Sequence, residues 1–274
     1  MIQRLFNLHQ EVVTWFEPRP VWNYAAPNKK WDRLDENDAS PRVIRYIRKQ
    51  FLKYQNKNNG LRIMEKTPNN VVRVPYVHKI FTESKFLYIV REPLAQLSSS
   101  EIKYKRVVDW EDRRHAWMRI KQTPKTQLHY YAIRFIRQLF RAKILKAEHP
   151  RIFGVRYKEI YQDQKKMTTQ EIIAKQWSYC SKQSEDDFSR INENKILRMR
   201  YEDFVADPVI NFERILHHFD LTLSTEMAKE ISNRVDSGRQ QKWRRLDPDI
   251  IKLCIPFLKE EMQRHGYAVP DKYY

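Results

Sequence analysis

The sequence contains few glycines and few cysteines, and each shortage argues against a class of site. Only four of the 274 residues are glycine, and none precedes Gly60. The chain before Gly60 therefore contains no glycine-rich loop of the kind that binds phosphate in nucleotide-binding proteins. The two cysteines, Cys180 and Cys254, predict neither a disulfide framework nor a cysteine-based metal site.

Long apolar runs are also missing. A membrane-spanning helix needs about 18 or more consecutive apolar residues, and no such run occurs in the sequence. The first residues, MIQRLFNLHQEVV, do not have the charged start, apolar centre and small-residue cleavage site of a secretory signal. The sequence as written therefore predicts a cytoplasmic protein without a membrane span.

Positive charge is present in excess. Lys and Arg number 52 against 34 Asp and Glu, which gives a formal net charge of +18. Such a balance favours anionic partners, among them nucleic acid, acidic lipid, polyanionic polymers and phosphate-bearing cofactors, and does not choose between them. Hydrophobic residues make up 41% of the chain, enough for a sizeable core, so a folded protein is expected.

Apolar runs alternate with helical periodicities along the chain. Strands are predicted at 12–16, 61–65, 85–90 and 196–201. The run KFLYIV at 85–90 is continuous rather than alternating, which is typical of a strand covered on both faces in a parallel sheet. Amphipathic helices between the strands predict one α/β domain over residues 1–274 with a mainly parallel sheet flanked by helices. The Trp- and charge-rich segment 106–127 is interpreted as a lid or an acceptor-side insertion.

Polar side chains stand where the predicted strands end. Glu17 follows the first strand, Lys66 the second and Arg91 the third. Because ligands of open parallel sheets bind beyond the carboxyl ends of the strands, these side chains are expected to converge. Ser99 lies about two turns into the helix after Arg91, and a guanidinium with a hydroxyl is suited to a phosphate. On pattern alone, an Arg91 that caps carbonyls and a Ser99 that faces solvent are equally consistent.

Several segments resemble, in order, the sulfotransferases that use 3′-phosphoadenosine 5′-phosphosulfate (PAPS). They are LFNLHQEVVTWFEPRPVW, EKTPNN with FTESKFLYIVREPLAQLSSS, RYEDFVADPVINFERILHHFDL, and SGRQQKWRRLDPDIIKLC with a later HGY. The first is similar to the early segment of carbohydrate and protein-tyrosine sulfotransferases. The ordered set spans nearly the whole chain, and the resemblance implies a P-loop NTPase-like sulfotransferase fold.

The resemblance also implies roles for individual residues. Glu17 matches the carboxylate that acts as general base toward the acceptor hydroxyl, and Lys66 matches a lysine that stabilises charge on the sulfuryl group and the leaving phosphate. Arg91 and Ser99 match the residues that bind the 3′-phosphate of PAPS. Further cofactor contacts are implied for Lys103, Tyr201, Gln241, Lys242, Trp243 and Arg244, the last four in a loop that closes over the cofactor. The family needs no metal, and no metal-ligand cluster is predicted.

Each of these residues has a structural alternative when taken alone. Glu17 could be an exposed turn carboxylate paired with Arg19, and Lys66 could be a solvated loop lysine. Tyr201 could be a core residue at a strand end, and Trp243 could only pack against the C-terminal helix. Without the ordered set of segments, the structural alternative would be favoured for each.

The sequence departs from the family pattern at its beginning. Relatives place a strand and a loop rich in Gly, Ser and Thr before the helix equivalent to residues 1–10, and that loop binds the 5′-phosphosulfate. We therefore hypothesise that the sequence is an N-terminally shortened form of a longer protein, lacking the first strand and the phosphate loop. Upstream in-frame sequence without such a loop would contradict this. A membrane anchor in the missing part would make the protein membrane-associated.

Three functional hypotheses follow. The preferred one is a sulfotransferase that transfers a sulfuryl group from PAPS to a hydroxyl of a carbohydrate or similar acceptor. The alternative is a catalytically silent sulfotransferase-like protein that binds an anionic ligand. The net charge also permits a basic nucleic-acid-binding protein, but no nucleic-acid motif supports it, and no nucleic-acid partner is expected.

Overall fold

The computed structural model describes residues 1–105, 117–118, 120–143, 152–235 and 246–269. The chain forms two compact units, which are treated separately. Unit 1 consists of Met1–Gln10, Thr82–Glu101 and Glu159–Tyr274. Unit 2 consists of Glu11–Phe81 and Ile102–Lys158.

Strands and helices alternate in the first part of the chain, and helices predominate in the second. The strands are β1 (Val12–Phe16), β2 (Arg62–Lys66), β3 (Phe86–Val90) and β4 (Ile196–Arg200). The α-helices are α1 (Ile2–Phe6), α2 (Arg19–Trp22), α3 (Pro41–Lys57), α4 (Val74–Ile80), α5 (Pro93–Lys105), α6 (Leu128–Lys143), α7 (Ile160–Asp163), α8 (Thr169–Phe188), α9 (Tyr201–Ala206), α10 (Pro208–His218), α11 (Thr225–Arg234) and α12 (Pro248–Arg264). Short 3₁₀ helices lie at Asn23–Ala25, Glu36–Asp38, Pro68–Val72, Lys125–Gln127 and Glu193–Lys195.

Unit 2 is organised around the parallel pair β1–β2. The pairing is in register from Val12 opposite Arg62 to Phe16 opposite Lys66, so both strands end at the same level. Helix α3 connects toward β2 and begins where the sequence predicts, because the Ser40 side chain accepts a hydrogen bond from the Val43 N–H and Pro41 occupies the first helical position.

An aromatic and aliphatic core fills unit 2. Apolar residues of β1, α2, α3 and α4 and of the loop before α3 are buried together there: Trp15, Val21, Trp22, Leu34, Ala39, Val43, Ile47, Tyr76 and Ile80. Trp15 stacks on Tyr54 with ring centroids 4.4 Å apart and an interplanar angle of 2°. The Tyr54 hydroxyl also donates to the Thr14 carbonyl at 2.9 Å, which ties α3 to β1.

A buried charge cluster joins distant segments of unit 2. Asp32 is 2% exposed and accepts hydrogen bonds from Arg156 Nη2 at 2.6 Å and from the Arg156 backbone N–H at 2.7 Å. Arg73 Nε donates to the Asp32 carbonyl oxygen at 2.6 Å, and Arg73 Nη2 lies 3.6 Å from Asp32 Oδ1. One carboxylate therefore balances two buried guanidiniums, and its loss would leave both in a weakly solvating interior.

Unit 1 is organised around the parallel pair β3–β4. Its register runs from Phe86 opposite Ile196 to Val90 opposite Arg200. Ring contacts pack Phe6 of α1 against Phe212 of α10, with centroids 5.2 Å apart. Helix α8 is joined to the end of α12 by the Ser181 hydroxyl, which donates to Glu261 Oε2 at 3.0 Å.

The predicted α/β class with parallel strands flanked by helices is confirmed, and each predicted strand agrees with the structure to within one residue. Two details differ. The strands of the described ranges form two separate parallel pairs, not one sheet. In β3 only Tyr88 and Val90 are buried, while Phe86, Leu87 and Ile89 remain half-buried, so the expectation of a strand covered on both faces was wrong for these residues. One domain over 1–274 remains a prediction. A lid at 106–127 also remains a prediction, because residues 106–116 and 119 lie outside the described ranges.

The buried cluster predicts a large stability loss on removal of its carboxylate. We expect Asp32→Asn to lower the free energy of unfolding by about 3–5 kcal/mol, because both arginines lose their counter-charge. The same change at Asp203, whose exposed pair with Arg200 has side chains 48% and 45% accessible, should cost about 0–1 kcal/mol. Urea unfolding of both variants measures the difference, and similar losses for the two would contradict the assignment.

Candidate active site

The residues predicted at strand ends fall into two local groups, one in each unit. The Glu17 group comprises Glu17, Arg19, Glu65 and Lys66 of unit 2. The Arg91 group comprises Arg91, Glu92, Tyr201, Glu202 and Tyr267 of unit 1. In both groups the parallel pairing explains why the residues that follow the two strands meet.

The Glu17 carboxylate lies between two cations. Its Oε2 is 2.7 Å from Arg19 Nη2, and its Oε1 is 3.9 Å from Lys66 Nζ. The Glu17 side chain is only 11% exposed, whereas that of Lys66 is 54% exposed. The sequence also allowed an exposed turn carboxylate that only pairs with Arg19. The pairing with Arg19 is present, but the carboxylate is far less exposed than that alternative requires. Lys66 leaves its ammonium accessible to an anion.

The backbone of Glu17 is strained. Its φ of 38° lies in the left-handed region, which residues with a side chain rarely adopt. The Arg19 N–H donates to the Glu17 carbonyl at 2.6 Å and closes the turn before α2. Strain of this kind costs about 1–3 kcal/mol and concentrates at functional sites, so it supports a functional role for Glu17.

Glu65 organises the turn that follows Lys66. Its Oε1 accepts a short hydrogen bond from the Thr67 hydroxyl, and its Oε2 accepts one from Asn70 Nδ2 at 3.1 Å. Burial, aided by the nearby Glu17 charge, raises the pKa of Glu65 to about 7, although the hydrogen bonds from Thr67 and Asn70 oppose the shift. The segment EKTPNN is therefore a turn built around the buried carboxyl group of Glu65.

Register brings the Arg91 group together. Because Val90 stands opposite Arg200, the residues that follow the two strands become neighbours. The Arg91 guanidinium lies 4.8 Å from the centre of the Tyr201 ring. The Glu92 N–H donates to Glu202 Oε1 at 3.1 Å, which repeats the pairing one position further on. Tyr201 is the first residue of α9, not a strand residue as the sequence predicted.

Arg91 retains an unused donor. Its Nε is buried, and none of the residues that the structure describes provides an acceptor for it. A buried donor without a partner costs about 1–3 kcal/mol. The Arg91 side chain as a whole is half-buried, and a guanidinium that is stacked on an aromatic ring is suited to bind the oxygens of an anion.

The helix after Arg91 begins with a side-chain cap. Glu92 accepts hydrogen bonds from the N–H groups of Leu94 at 3.1 Å and Ala95 at 2.5 Å. Burial raises the pKa of Glu92 to about 7; these two bonds oppose the shift and the Glu202 charge adds to it. Ser99 is half-buried in α5, six residues after Pro93 and thus about 9 Å along the helix axis.

The remaining predicted contacts cannot be placed. Lys103 belongs to α5, but its side chain lies outside the described part of the structure. Gln241, Lys242, Trp243 and Arg244 also lie outside the described residues. The roles implied for these five residues remain predictions.

Sequence reasoning missed several members of the site. It assigned no role to Glu65, Glu92, Trp177 or Glu202. The Trp177 Nε1–H donates to the Arg91 carbonyl at 3.0 Å. Glu65, Glu92, Glu202 and Tyr267 lie in segments that resemble the family, whereas Trp177 lies in none of them.

The described ranges contain neither a metal-binding cluster nor a membrane-spanning helix. No group of three or more His, Cys, Asp or Glu residues there is arranged to hold a metal ion. None of the helices in those ranges has the length and apolar character needed to cross a bilayer.

Comparison with known proteins gives one informative match. The model of the sulfotransferase family matches residues 10–174, more than half of the chain, and this range includes Glu17, Lys66, Arg91 and Ser99. A sequence comparison with curated proteins finds no match.

Two solved structures are similar at low identity. The sulfotransferase domain from the curacin biosynthetic pathway is 12% identical with a TM-score of 0.48, over 82% of this chain and 69% of that one. A sulfotransferase from Alicyclobacillus acidocaldarius is 11% identical with a TM-score of 0.47, over 98% of this chain and 91% of that one. Similarity at this level says nothing about the reaction, so the family assignment rests on the match to the family model alone.

The raised pKa of Glu65 predicts a pH dependence of stability. In the unfolded chain the group titrates near 4.5, and in the folded protein near 7. The folded state therefore binds more protons between these values, and the free energy of unfolding should fall as the pH rises through this window. Glu65→Gln should reduce the slope, because glutamine is neutral throughout and the Thr67 hydroxyl can accept in place of donating.

Thermal unfolding across the window measures that slope. Glu11→Gln, the same change at an exposed residue before β1, is the control and should leave the slope as in wild type. Part of the wild-type slope should persist in Glu65→Gln, since the pKa of Glu92 is raised to a similar value. An unaltered slope in Glu65→Gln would show that Glu65 is not responsible.

Proposed function

Since the chain belongs to the sulfotransferase family, we propose that it transfers a sulfuryl group from PAPS to a hydroxyl of a carbohydrate or similar acceptor. PAPS supplies the sulfuryl group when it is bound. The residues of the two groups supply anion binding, charge stabilisation and a base. The role of each residue is proposed from the contacts within its own group.

The observation that carries the proposal is the half-buried guanidinium of Arg91 directly after β3. The described residues leave its Nε without an acceptor. The Tyr201 ring beneath the guanidinium limits its movement, with 4.8 Å between the guanidinium carbon and the ring centre. Arg91 binds the 3′-phosphate, Ser99 supplies a hydroxyl to the same phosphate, and Tyr201 contacts the nucleotide. Lys103 and the segment from Gln241 to Arg244 complete the proposed cofactor contacts.

Glu17 and Lys66 carry the proposed chemistry. Glu17 accepts the proton of the acceptor hydroxyl, whose oxygen forms the new sulfate ester. Arg19 holds the Glu17 carboxylate through its 2.7 Å contact, which fixes the orientation of the carboxylate. Lys66, with its exposed ammonium 3.9 Å from Glu17, stabilises the negative charge that develops on the sulfuryl group and the leaving phosphate. No metal takes part in the proposed reaction.

The proposed phosphate site predicts that bisphosphate affinity depends on Arg91. We expect this 274-residue chain to bind adenosine 3′,5′-bisphosphate and Arg91→Ala to bind it at least tenfold more weakly, because a charge-assisted contact to phosphate contributes about 1.5–3 kcal/mol. Isothermal titration calorimetry measures both. Arg198→Ala is the matched control, since Arg198 is an arginine of the neighbouring strand that pairs with Glu185 and lies over the Phe188 ring. An equal loss of bisphosphate affinity in the two variants would show that Arg91 is not part of the phosphate site.

The proposed role of Glu17 as the base predicts that sulfuryl transfer depends on its carboxylate. We expect Glu17→Gln to lower the rate of sulfuryl transfer by about 10²- to 10⁴-fold, the usual contribution of a general base, while bisphosphate affinity stays near wild type. Transfer of label from PAPS to a panel of hydroxyl-bearing carbohydrates is the assay, with Glu11→Gln as control. A Glu17→Gln variant that transfers at the wild-type rate would exclude the role. Binding without transfer to any acceptor in the wild type would favour a catalytically silent relative.

A further inference from the structure

The peptide group that follows Arg91 is held at both of its ends by side chains from other elements. After Arg91, the Trp177 Nε1–H of α8 donates to the Arg91 carbonyl at 3.0 Å, and Glu202 of α9 accepts the Glu92 N–H at 3.1 Å. Both ends of one peptide group are thus bound. Before Arg91, the Tyr267 hydroxyl lies 3.3 Å from the Val90 carbonyl oxygen. The two hydrogen bonds to the peptide group after Arg91 restrict the ψ dihedral of Arg91.

Tyr267 and Glu202 act as a pair. The Tyr267 hydroxyl donates to Glu202 Oε2 at 2.8 Å, while Glu202 Oε1 accepts the Glu92 N–H. Burial, with the bond to Glu202 as a smaller cause, raises the pKa of Tyr267 above its ordinary value, so the hydroxyl keeps the proton it donates. Each oxygen of Glu202 therefore has a separate partner.

The end of α12 delivers Tyr267 to this turn. Gly266 adopts a left-handed φ of 69°, and the Tyr267 N–H donates back to the Met262 carbonyl at 2.9 Å. This is the Schellman arrangement, which stops a helix and redirects the chain at a glycine. Tyr267 is consequently buried, at 8% exposure, although it lies just after an exposed helix end.

We propose that Tyr267, Glu202 and Trp177 are positioning residues that hold the Arg91 turn in the conformation required for anion binding. The proposal rests on the proposed function of Arg91. It adds to that function three residues, Trp177, Glu202 and Tyr267, all of which lie beyond the range matched by the family model. None of the three needs to touch the ligand, since they act on the backbone that carries the guanidinium.

A held backbone matters because an arginine binds oxyanions through a planar fork of donors with narrow geometry. A free turn would spread the guanidinium over several orientations, and binding would then have to order it at a cost in affinity. Stacking on Tyr201 limits the guanidinium at its far end. The three hydrogen-bonding side chains limit it at the backbone end.

The test combines ligand affinity with the behaviour of one amide. We expect Tyr267→Phe and Trp177→Phe each to weaken binding of adenosine 3′,5′-bisphosphate about threefold to tenfold, the usual contribution of one hydrogen bond. Glu202→Ala should weaken it at least as much. Glu202→Gln should bind like wild type or more tightly, because its amide oxygen can accept the Glu92 N–H and its amide nitrogen can donate to Tyr267.

Tyr88→Phe is the matched control for a purely structural effect. Tyr88 is a buried tyrosine of β3 whose hydroxyl accepts from Ser184 at 2.7 Å. Its loss should lower stability, as the loss of the Tyr267 hydroxyl does, without altering bisphosphate affinity. Hydrogen exchange of the Glu92 amide, followed by NMR without ligand, should be faster in Glu202→Ala and Tyr267→Phe than in Tyr88→Phe.

The outcomes separate the two proposals. Wild-type binding with unchanged affinity in Tyr267→Phe and Glu202→Ala would overturn the positioning role, even if exchange at Glu92 became faster. A wild type that does not bind the bisphosphate would overturn the function proposed for Arg91 instead. Exchange at Glu92 would then decide by itself whether these side chains hold the turn, and exchange as slow as in the control would overturn the proposal.

Discussion

In-register parallel pairing brings the residues that follow two strands to the same edge, and both candidate groups depend on it. Val90 stands opposite Arg200, so Arg91 meets Tyr201 and Glu92 meets Glu202. Phe16 stands opposite Lys66, so Glu17 follows its strand at the level of the lysine that it contacts. A shift of either register by one residue would turn these side chains to the opposite face and separate the partners.

Partly or fully buried carboxylates connect these turns to the rest of each unit. Asp32 joins the loop before α3 to Arg73 and Arg156, and Glu202 joins two strand ends to the chain after α12. Transfer of a carboxylate out of water is costly, and the cost is offset only when both oxygens find good donors. Each of these carboxylates therefore specifies which distant segment must pack against it, and removal of one partner leaves the other without compensation.

Local strain and unused hydrogen-bonding capacity occur where the family resemblance places function. Glu17 keeps a left-handed backbone although it is not a glycine, and Arg91 keeps a buried Nε without an acceptor among the described residues. Folding alone would favour a glycine at the first position and a paired or smaller side chain at the second. Departures from local preference of this kind are expected where a protein retains residues for binding or chemistry rather than for stability.

The sequence by itself determined the elements and the residues at their ends. Continuous or β-branched apolar runs identify strands, Ser40 and Pro41 mark the start of α3, and the ordered segments identify the sulfotransferase family. These are local properties, which a short stretch of sequence carries on its own. Only the tertiary structure decided which of those residues touch. The contacts of Tyr267 with Val90 and Glu202, and of Arg156 with Asp32, join residues 177, 65 and 124 positions apart. Such contacts depend on strand register, on the turn at Gly266 and on the burial of charge, none of which a linear pattern records.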